Sequence, residues 1–512
     1  MSKRNRKEKE QKQSRVIRVL AIALAVLLIG MVVAEVLPVF GLAEEAPARS
    51  HYSLNMAIDL DNQAIAIDQR LDYVNATGRA QDSVWLNVYA NTLRRSGAMP
   101  VEQNDWNNAF PGGYAPGGVD FISVRVNGQA ADWGMSGASE QFMRVACPLE
   151  PGQRALIELS FRLMLTENNW ALGVGDLGWR LVNFYPVAAV YDRTAGDFAL
   201  NSWTLATDPL MSEPADYQAA LTLPEGWAVA ATGGATASAP DENGRVTWTV
   251  RAENARDFSL AFSRKMNERQ GETAGGLTVR AWASTAAAAR AMLDAALPAL
   301  ETYEAWFGPL TLPELDLMET DYLWEGLSKP GLIQVSPALC ALNRRNDLAK
   351  AVARLCANQW FRGEVGCDPE KEPWLADTLP AYAALLYFEE KEGYGGYLKR
   401  LNAQVLEALQ ITIPGGLTVD SAASRFTSRG EYELVVIDRG CAVLHEARDL
   451  TGREAFIASL GRYIAKNRGK NATIEAFVSA LNETTGQRWD EYIVSQLQNI
   501  SDYVNQRLEW FE

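Results

Sequence analysis

The spacing of apolar residues changes once along this chain, near residue 270, and that change narrows the possible folds more than anything else in the sequence. From Tyr52 to about Arg264 apolar and polar residues alternate, as in "MAIDLDNQAIAIDQRLDYVN", "SVWLNVYAN", "FISVRVNG" and "ALIELSFRLML". A two-residue period buries one face of a segment and wets the other, which is how antiparallel strands are written. "YQAALTLPEGWAVAATGG" and "GRVTWTVRAENARDFSLAFS" extend the series, and the polar, glycine-rich "NERQGETAGG" reads as its boundary. Beyond it the period lengthens. "AAAARAMLDAALPALETYEAWFG", "DLAKAVARLCANQWF", "AYAALLYFEEKEG", "CAVLHEARDLTG", "REAFIASLGRYIAKN" and "TIEAFVSAL" read as amphipathic helices. Asn346 or Asp347 is the expected N-cap of the second of these. "LDLMET" and "GLIQVS" are short strands among them. The expected class is α+β and multidomain, since 512 residues exceed what one core usually serves.

The N-terminus is of another kind. A basic tail over residues 1–15, "MSKRNRKEKEQKQSR", precedes an apolar stretch over 16–43 that contains "VLAIALAVLLIGMVVA". Counted through Glu35 to Ala43 the stretch is long enough to span a bilayer with tilt. Lys and Arg on its N-terminal side would hold that side in the cytoplasm. The expectation is a single-pass transmembrane helix acting as a signal-anchor in the cell membrane, with the bulk of the chain extracytoplasmic or extracellular. A cleaved signal sequence ending near Gly41 or Ala43 is the rival. A net charge of -15 argues against nucleic acid as a partner. The five cysteines show no metal-ligand spacing and allow at most two disulfides. Four Asn-x-Ser/Thr sequons occur, at Asn75, Asn471, Asn482 and Asn499.

Five stretches, in order, resemble the M1 family of zinc aminopeptidases, the gluzincins with a thermolysin-like catalytic domain. They are "ADYQAALTLPEGWAVAATG", "ALETYEAWFGPLTLPELDLMETD", "KPGLIQVS", "NQWFRGEVGCDPEKEPWLADTLPAY" and "VVIDRGCAVLHEARDLTGREAF". The resemblance implies an all-β, saddle-like domain over 51–270 and a thermolysin-like, mainly helical α/β domain over 271–512. It also implies that the helical C-terminal domain of larger members is missing. In such enzymes two histidines four apart on a helix bind zinc, and a neighbouring glutamate activates water. A further glutamate completes the ligand set and leaves one position open.

Carried over position by position, the resemblance places the first histidine at Arg354, the general base at Leu355 and the second histidine at Asn358. The third ligand falls on Asp377, nineteen residues after Asn358. Gly326 and Leu327 remain of the Gly-x-Met-Glu motif, but Ser328 replaces the glutamate that would hold a substrate amine. The oxyanion-stabilising tyrosine falls on Ile437. Leucine accepts no proton, and an arginine repels a dication. The packing residues Trp360, Phe361, Trp374, Leu375 and Tyr382 persist. A degenerate member is expected: a pseudo-enzyme with no metal, no cofactor and no catalytic residue. Arg354 is expected to pair with Asp377 in the vacated site, with Asn358 completing the hydrogen bonds; the rival is that Asp377 caps a helix starting at Thr378 or Leu379, with Pro380 in its first turn. His445, Glu446 and Asp449 in "HEARD" thinly copy the lost motif and read as a packing helix.

The expected function is therefore a membrane-anchored, non-catalytic module that holds a peptide or protein partner in the former substrate cleft, beside "GLIQVS" as an exposed strand. The alternatives are an active zinc metallo-aminopeptidase with atypical ligands, and an accessory subunit of a membrane complex.

Overall fold

In the computed structural model the described residues are 49–498, apart from 265 and 412–415 and from the side chains of 342, 406 and 407. The basic tail and the anchor or signal segment lie outside them. No helix among the described residues is long and apolar enough to cross a membrane.

The alternating half forms sheets throughout. Its largest has eight strands, in the order Gly234–Ala237, Arg245–Ala255, Ala215–Pro224, His51–Asp59, Ala64–Val74, Arg154–Met164, Gly118–Val126 and Gln129–Ala130. The pairing of His51–Asp59 with Ala215–Pro224 is parallel. Ala64–Val74 shows why the pattern folds this way: Ile65, Ile67 and Leu71 are buried while Ala66, Asp68 and Arg70 face solvent. Two four-stranded sheets cover the buried face. One runs Trp227–Ala231, Leu260–Arg264, Gly178–Leu181, Leu172–Gly175, and the other Val187–Ala188, Gln81–Asn87, Phe142–Leu149, Trp133–Ser136.

The second half begins earlier than its polar composition suggests. Asn267–Glu272, inside the stretch read as a boundary, is the edge strand of a five-stranded mixed sheet. An edge strand with one side in water has little need of apolar residues, so it reads like a linker. The sheet continues through Thr278–Ala283, Glu314–Glu319 and Leu332–Val335 to Gly326–Lys329 at the far edge. "GLIQVS" is thus an interior strand paired on both sides, which corrects its reading as exposed. Its four residues Leu332–Val335 are fully apolar-packed or buried because sheet covers both flanks and helix covers one face.

Helices Ala286–Phe307, Arg345–Asn358, Pro373–Gln410, Gly440–Thr451, Arg453–Asn467, Ile474–Thr485 and Asp490–Gln498 supply the rest. The second starts slightly before the expected N-cap residues and runs into a π-turn over Gln359–Glu364. Pro373–Gln410 is interrupted at Gly393, whose φ of 75° no helix accommodates. Arg345–Asn358 lies between Pro373–Gln410 and the Gly326–Lys329 edge. Around it Trp360, Phe361, Trp374, Leu375 and Tyr382 are buried in one core.

The described cysteines are all free thiols, so no disulfide staples the fold. Three sequon asparagines are committed inside it. Asn75 is buried and its amide donates to Arg79 O and Leu149 O, while Asn471 bonds Ser212 O and Asn482 bonds Asp490.

Candidate functional site

Arg354, Leu355, Asn358, Asp377, Ser328 and Ile437 come from four separate elements, yet all line one cavity. The Arg345–Asn358 helix brings the first three, one turn apart or adjacent. Asp377 arrives on Pro373–Gln410, Ser328 on the sheet edge, and Ile437 on the π-turn Glu433–Arg439. The helix and the sheet edge approach closely: a Cβ on Gly326 would stand 2.6 Å from both Leu355 Cδ1 and Gln334 O. Ser328 Oγ donates to Leu355 O at 2.9 Å and accepts from Gln359 Nε2 at 2.8 Å. Gln359 also donates to Lys329 O and accepts from Gly331 N, fastening the strand end to the π-turn.

The expected Arg354–Asp377 pair does not form. Asp377 Oδ1 is met at 3.3 Å by Arg362, which the π-turn swings toward the long helix. Its Oδ2 accepts from Tyr432 at 2.6 Å and from Thr207 at 3.1 Å. Those three donors, none of them Arg354, hold the carboxylate. Arg354 instead reaches Glu325, at 3.5 Å, on the chain just before the sheet edge. Asn358 does not complete the pair either; its Oδ1 is buried without a hydrogen-bond partner. Nor is Asp377 a cap: its helix starts at Pro373, and Pro380 lies within it.

Behind Asp377 is a second charged group that sequence reasoning missed. Lys329, next to Ser328, is buried with its ammonium 2.6 Å from Asp208 and 2.9 Å from Asp257, and Asn183 accepts from it at 3.2 Å. Arg362 also donates to Asp208 O. Burial opposes the charge on Lys329, but the two carboxylates outweigh it and raise its pKa. The carboxylates are affected unequally. Burial acts on Asp208, yet Lys329 and Arg362 together hold its pKa below the usual value. Asp257 lacks the second cation, and there burial wins and raises the pKa. Burial and Asp377 keep Tyr432 protonated, as a donor. Tyr432 is the tyrosine of this segment; the position expected to carry it, Ile437, presents only an apolar wall.

These residues do not fit a zinc ion. No His or Cys lines the cavity, and among the described residues no three His, Cys, Asp or Glu side chains are grouped to hold a metal. Asp377 is committed to an arginine, Asp208 to a lysine, and Arg354 and Arg362 would repel a dication. "HEARD" lies elsewhere: His445 meets the Tyr397 hydroxyl at 2.8 Å, Tyr397 bonds Tyr382, and Asp449 lies 3.5 Å from the imidazole. It is a buried hydrogen-bond chain in the helix packing.

No protein-family model matches the chain, and no curated protein matches it. The fold, however, is shared with solved M1 zinc metallopeptidases. A mutant of the enzyme from Deinococcus radiodurans aligns with a TM-score of 0.61 at 17% identity, covering 88% of this chain and 94% of that one. The enzyme without that mutation gives a TM-score of 0.60 at 18% identity over the same shares. The mutant bound to a Tyr-Ser-Ala substrate gives 0.59 at 18% identity, again over the same shares. The chain has an M1 aminopeptidase-like fold.

Proposed function

We propose that this protein is a membrane-anchored, extracytoplasmic M1-like pseudo-enzyme that binds a peptide or protein segment in its cleft and cleaves nothing. One observation carries the reading: at the third-ligand position Asp377 is bound by Arg362, Tyr432 and Thr207, while Arg354 and Leu355 stand where a ligand and the base would be. Hydrolysis in this fold needs a metal to generate the nucleophile and a carboxylate to take its proton. The inner cavity supplies neither donor set, and the buried charges beside it are matched among themselves. The basic tail and the apolar stretch after it support the anchor.

Elemental analysis of the purified full chain, with aminoacyl-substrate assays run with and without chelator, tests the reading. The expected result is substoichiometric zinc and no hydrolysis above buffer. One tightly held zinc with chelator-sensitive cleavage overturns it. Membrane fractionation of the chain with and without residues 1–43 tests the anchor, and recovery of the intact chain in the soluble fraction would dismiss it.

A further inference from the structure

A larger cleft, about 670 Å³, adjoins the inner cavity. The two share Trp324, Gly326, Arg354, Arg429, Glu433 and Ile437 as a common wall. The cations bordering this space differ sharply in how far they are committed. Lys329 is held by two aspartates and Asn183. Arg362 is held by Asp377 and a carbonyl. Arg429 pairs with Glu433 at 2.9 Å, and its guanidinium lies over the Trp324 ring at 4.3 Å. Arg400 forks onto Glu392. Arg344 pairs with Asp347.

Two cations are left over, one turn apart on the same helix face. Arg354 has one ion-pair contact, at 3.5 Å, to a Glu325 side chain that is itself 55% exposed. Such a contact in water contributes little and is easily exchanged. Lys350 lines the cleft without a hydrogen bond or ion pair among the described residues, and acts only through its charge on the Asp438 carboxyl nearby. One turn beyond Arg354 stands Asn358, whose buried Oδ1 lacks a partner. Lys350 and Arg354 thus place two weakly committed cations one turn apart on the cleft wall, while Asn358 lines the inner cavity. Ala351, Ala381, Ala384, Leu385, Phe388 and Ile437 give the cleft apolar lining, beside the acidic Glu433 and Asp438.

We infer that the cleft takes a peptide segment through a carboxylate, which Arg354 and Lys350 hold. This rests on the proposed peptide-binding reading and names the chemistry that selects the ligand. The carboxylate displaces Glu325 from Arg354, and the guanidinium fork receives it in two-pronged contact. Ser328 offers no charge to a free amine, so the polarity of recognition is reversed from amine to carboxylate. A side-chain Asp or Glu and a free C-terminus share this chemistry, and the test separates them.

The test uses the full chain in detergent and an array of short peptides in matched sets: Glu or Asp members, their Gln or Asn counterparts, and each with a free or amidated C-terminus. Acidic or free-terminus members are expected to bind about tenfold to a hundredfold more tightly than their neutral counterparts, the usual range for a charge-assisted pair. Loss of preference on amidation alone identifies the C-terminus; loss on Gln or Asn replacement alone identifies the side chain. Lys350→Gln, on an exposed residue, should reduce the preference without touching the fold, Arg354→Gln should abolish it, and Arg354→Lys should restore part of it. Added salt should weaken the acidic members selectively. Equal binding of neutral and acidic peptides overturns the inference and leaves the peptide-binding reading intact. Binding of no peptide overturns both.

Discussion

The inner cavity and the outer cleft share one helix, yet they treat charge in opposite ways. Inside, Lys329, Arg362, Asp208, Asp257 and Asp377 neutralise one another at distances of 2.6–3.3 Å. Outside, Arg354 has one loose pair with Glu325 and Lys350 acts on Asp438 through its charge alone. A buried charge without a partner costs several kcal/mol, whereas one at a wet surface costs little. Where the residues do not fit a metal ion, interior charges have to be closed among themselves. The same pressure does not reach the rim, where a cation stays available at small cost to stability.

The sharpest way to break this contrast is at its buried end. Lys329→Met leaves Asp208 and Asp257 facing each other in the interior and should cost about 3–5 kcal/mol in guanidinium unfolding, if the fold survives at all. A loss under about 1 kcal/mol would mean that water reaches the group. Next in size is the coupling between Arg362 and Asp377. Because both are partly exposed, a double-alanine cycle should return about 1–3 kcal/mol. The corresponding cycle between Arg354 and Asp377 should be additive within about 0.5 kcal/mol, and strong coupling there would restore the pair that the geometry denies.

A pH series sharpens the comparison along the wall between the two spaces. Burial raises the Asp438 carboxyl to about 7, with Gln404 and Lys350 acting against it. A carboxyl raised in the folded state holds its proton more tightly there than in the unfolded chain. Its contribution to stability is complete below the ordinary carboxylate range near 4 and is lost as pH rises through about 7. Asp438→Asn should therefore match the parent near pH 4 and exceed it above pH 7, by roughly 2–4 kcal/mol. A variant less stable at high pH would reverse the sign and place an unseen cation beside the group. The smallest effect belongs to Arg354→Ala, expected within about 0.5 kcal/mol of the parent because its pair is loose and wet. A loss comparable to that of Lys329→Met would erase the distinction between interior and rim.

How much of this was legible depended on sequence distance. The change of period located sheets and helices, and the motif spacing located six positions that share a cavity. The partners of Asp377 are harder to read from the sequence. Arg362 follows Asn358 by four residues, so a helical reading puts it on the face of Arg354; only the π-turn brings it to Asp377. Tyr432 is the tyrosine nearest Ile437 in the sequence, yet no local pattern ties it to Asp377. Lys329 stood beside Ser328 in plain view. Its partners did not, since Asp208 and Asp257 come from the sheet-rich half and no local pattern announces them. The edge strand Asn267–Glu272 was mistaken for a linker because water on one side removes the apolar signal that marks a strand.

The buried amide of Asn75 has a bearing on how the protein is made. Its nitrogen is spent on two backbone carbonyls in the finished fold, while the unfolded chain displays it in an open Asn-Ala-Thr sequence. A secretory pathway that attaches glycans to nascent chains would meet the open form first. A sugar placed there removes a donor that the fold requires and has no space in which to sit, so each modified copy would be stranded before folding. Production in a host that does not glycosylate, or as Thr77→Ala if the hydroxyl proves dispensable, avoids that loss.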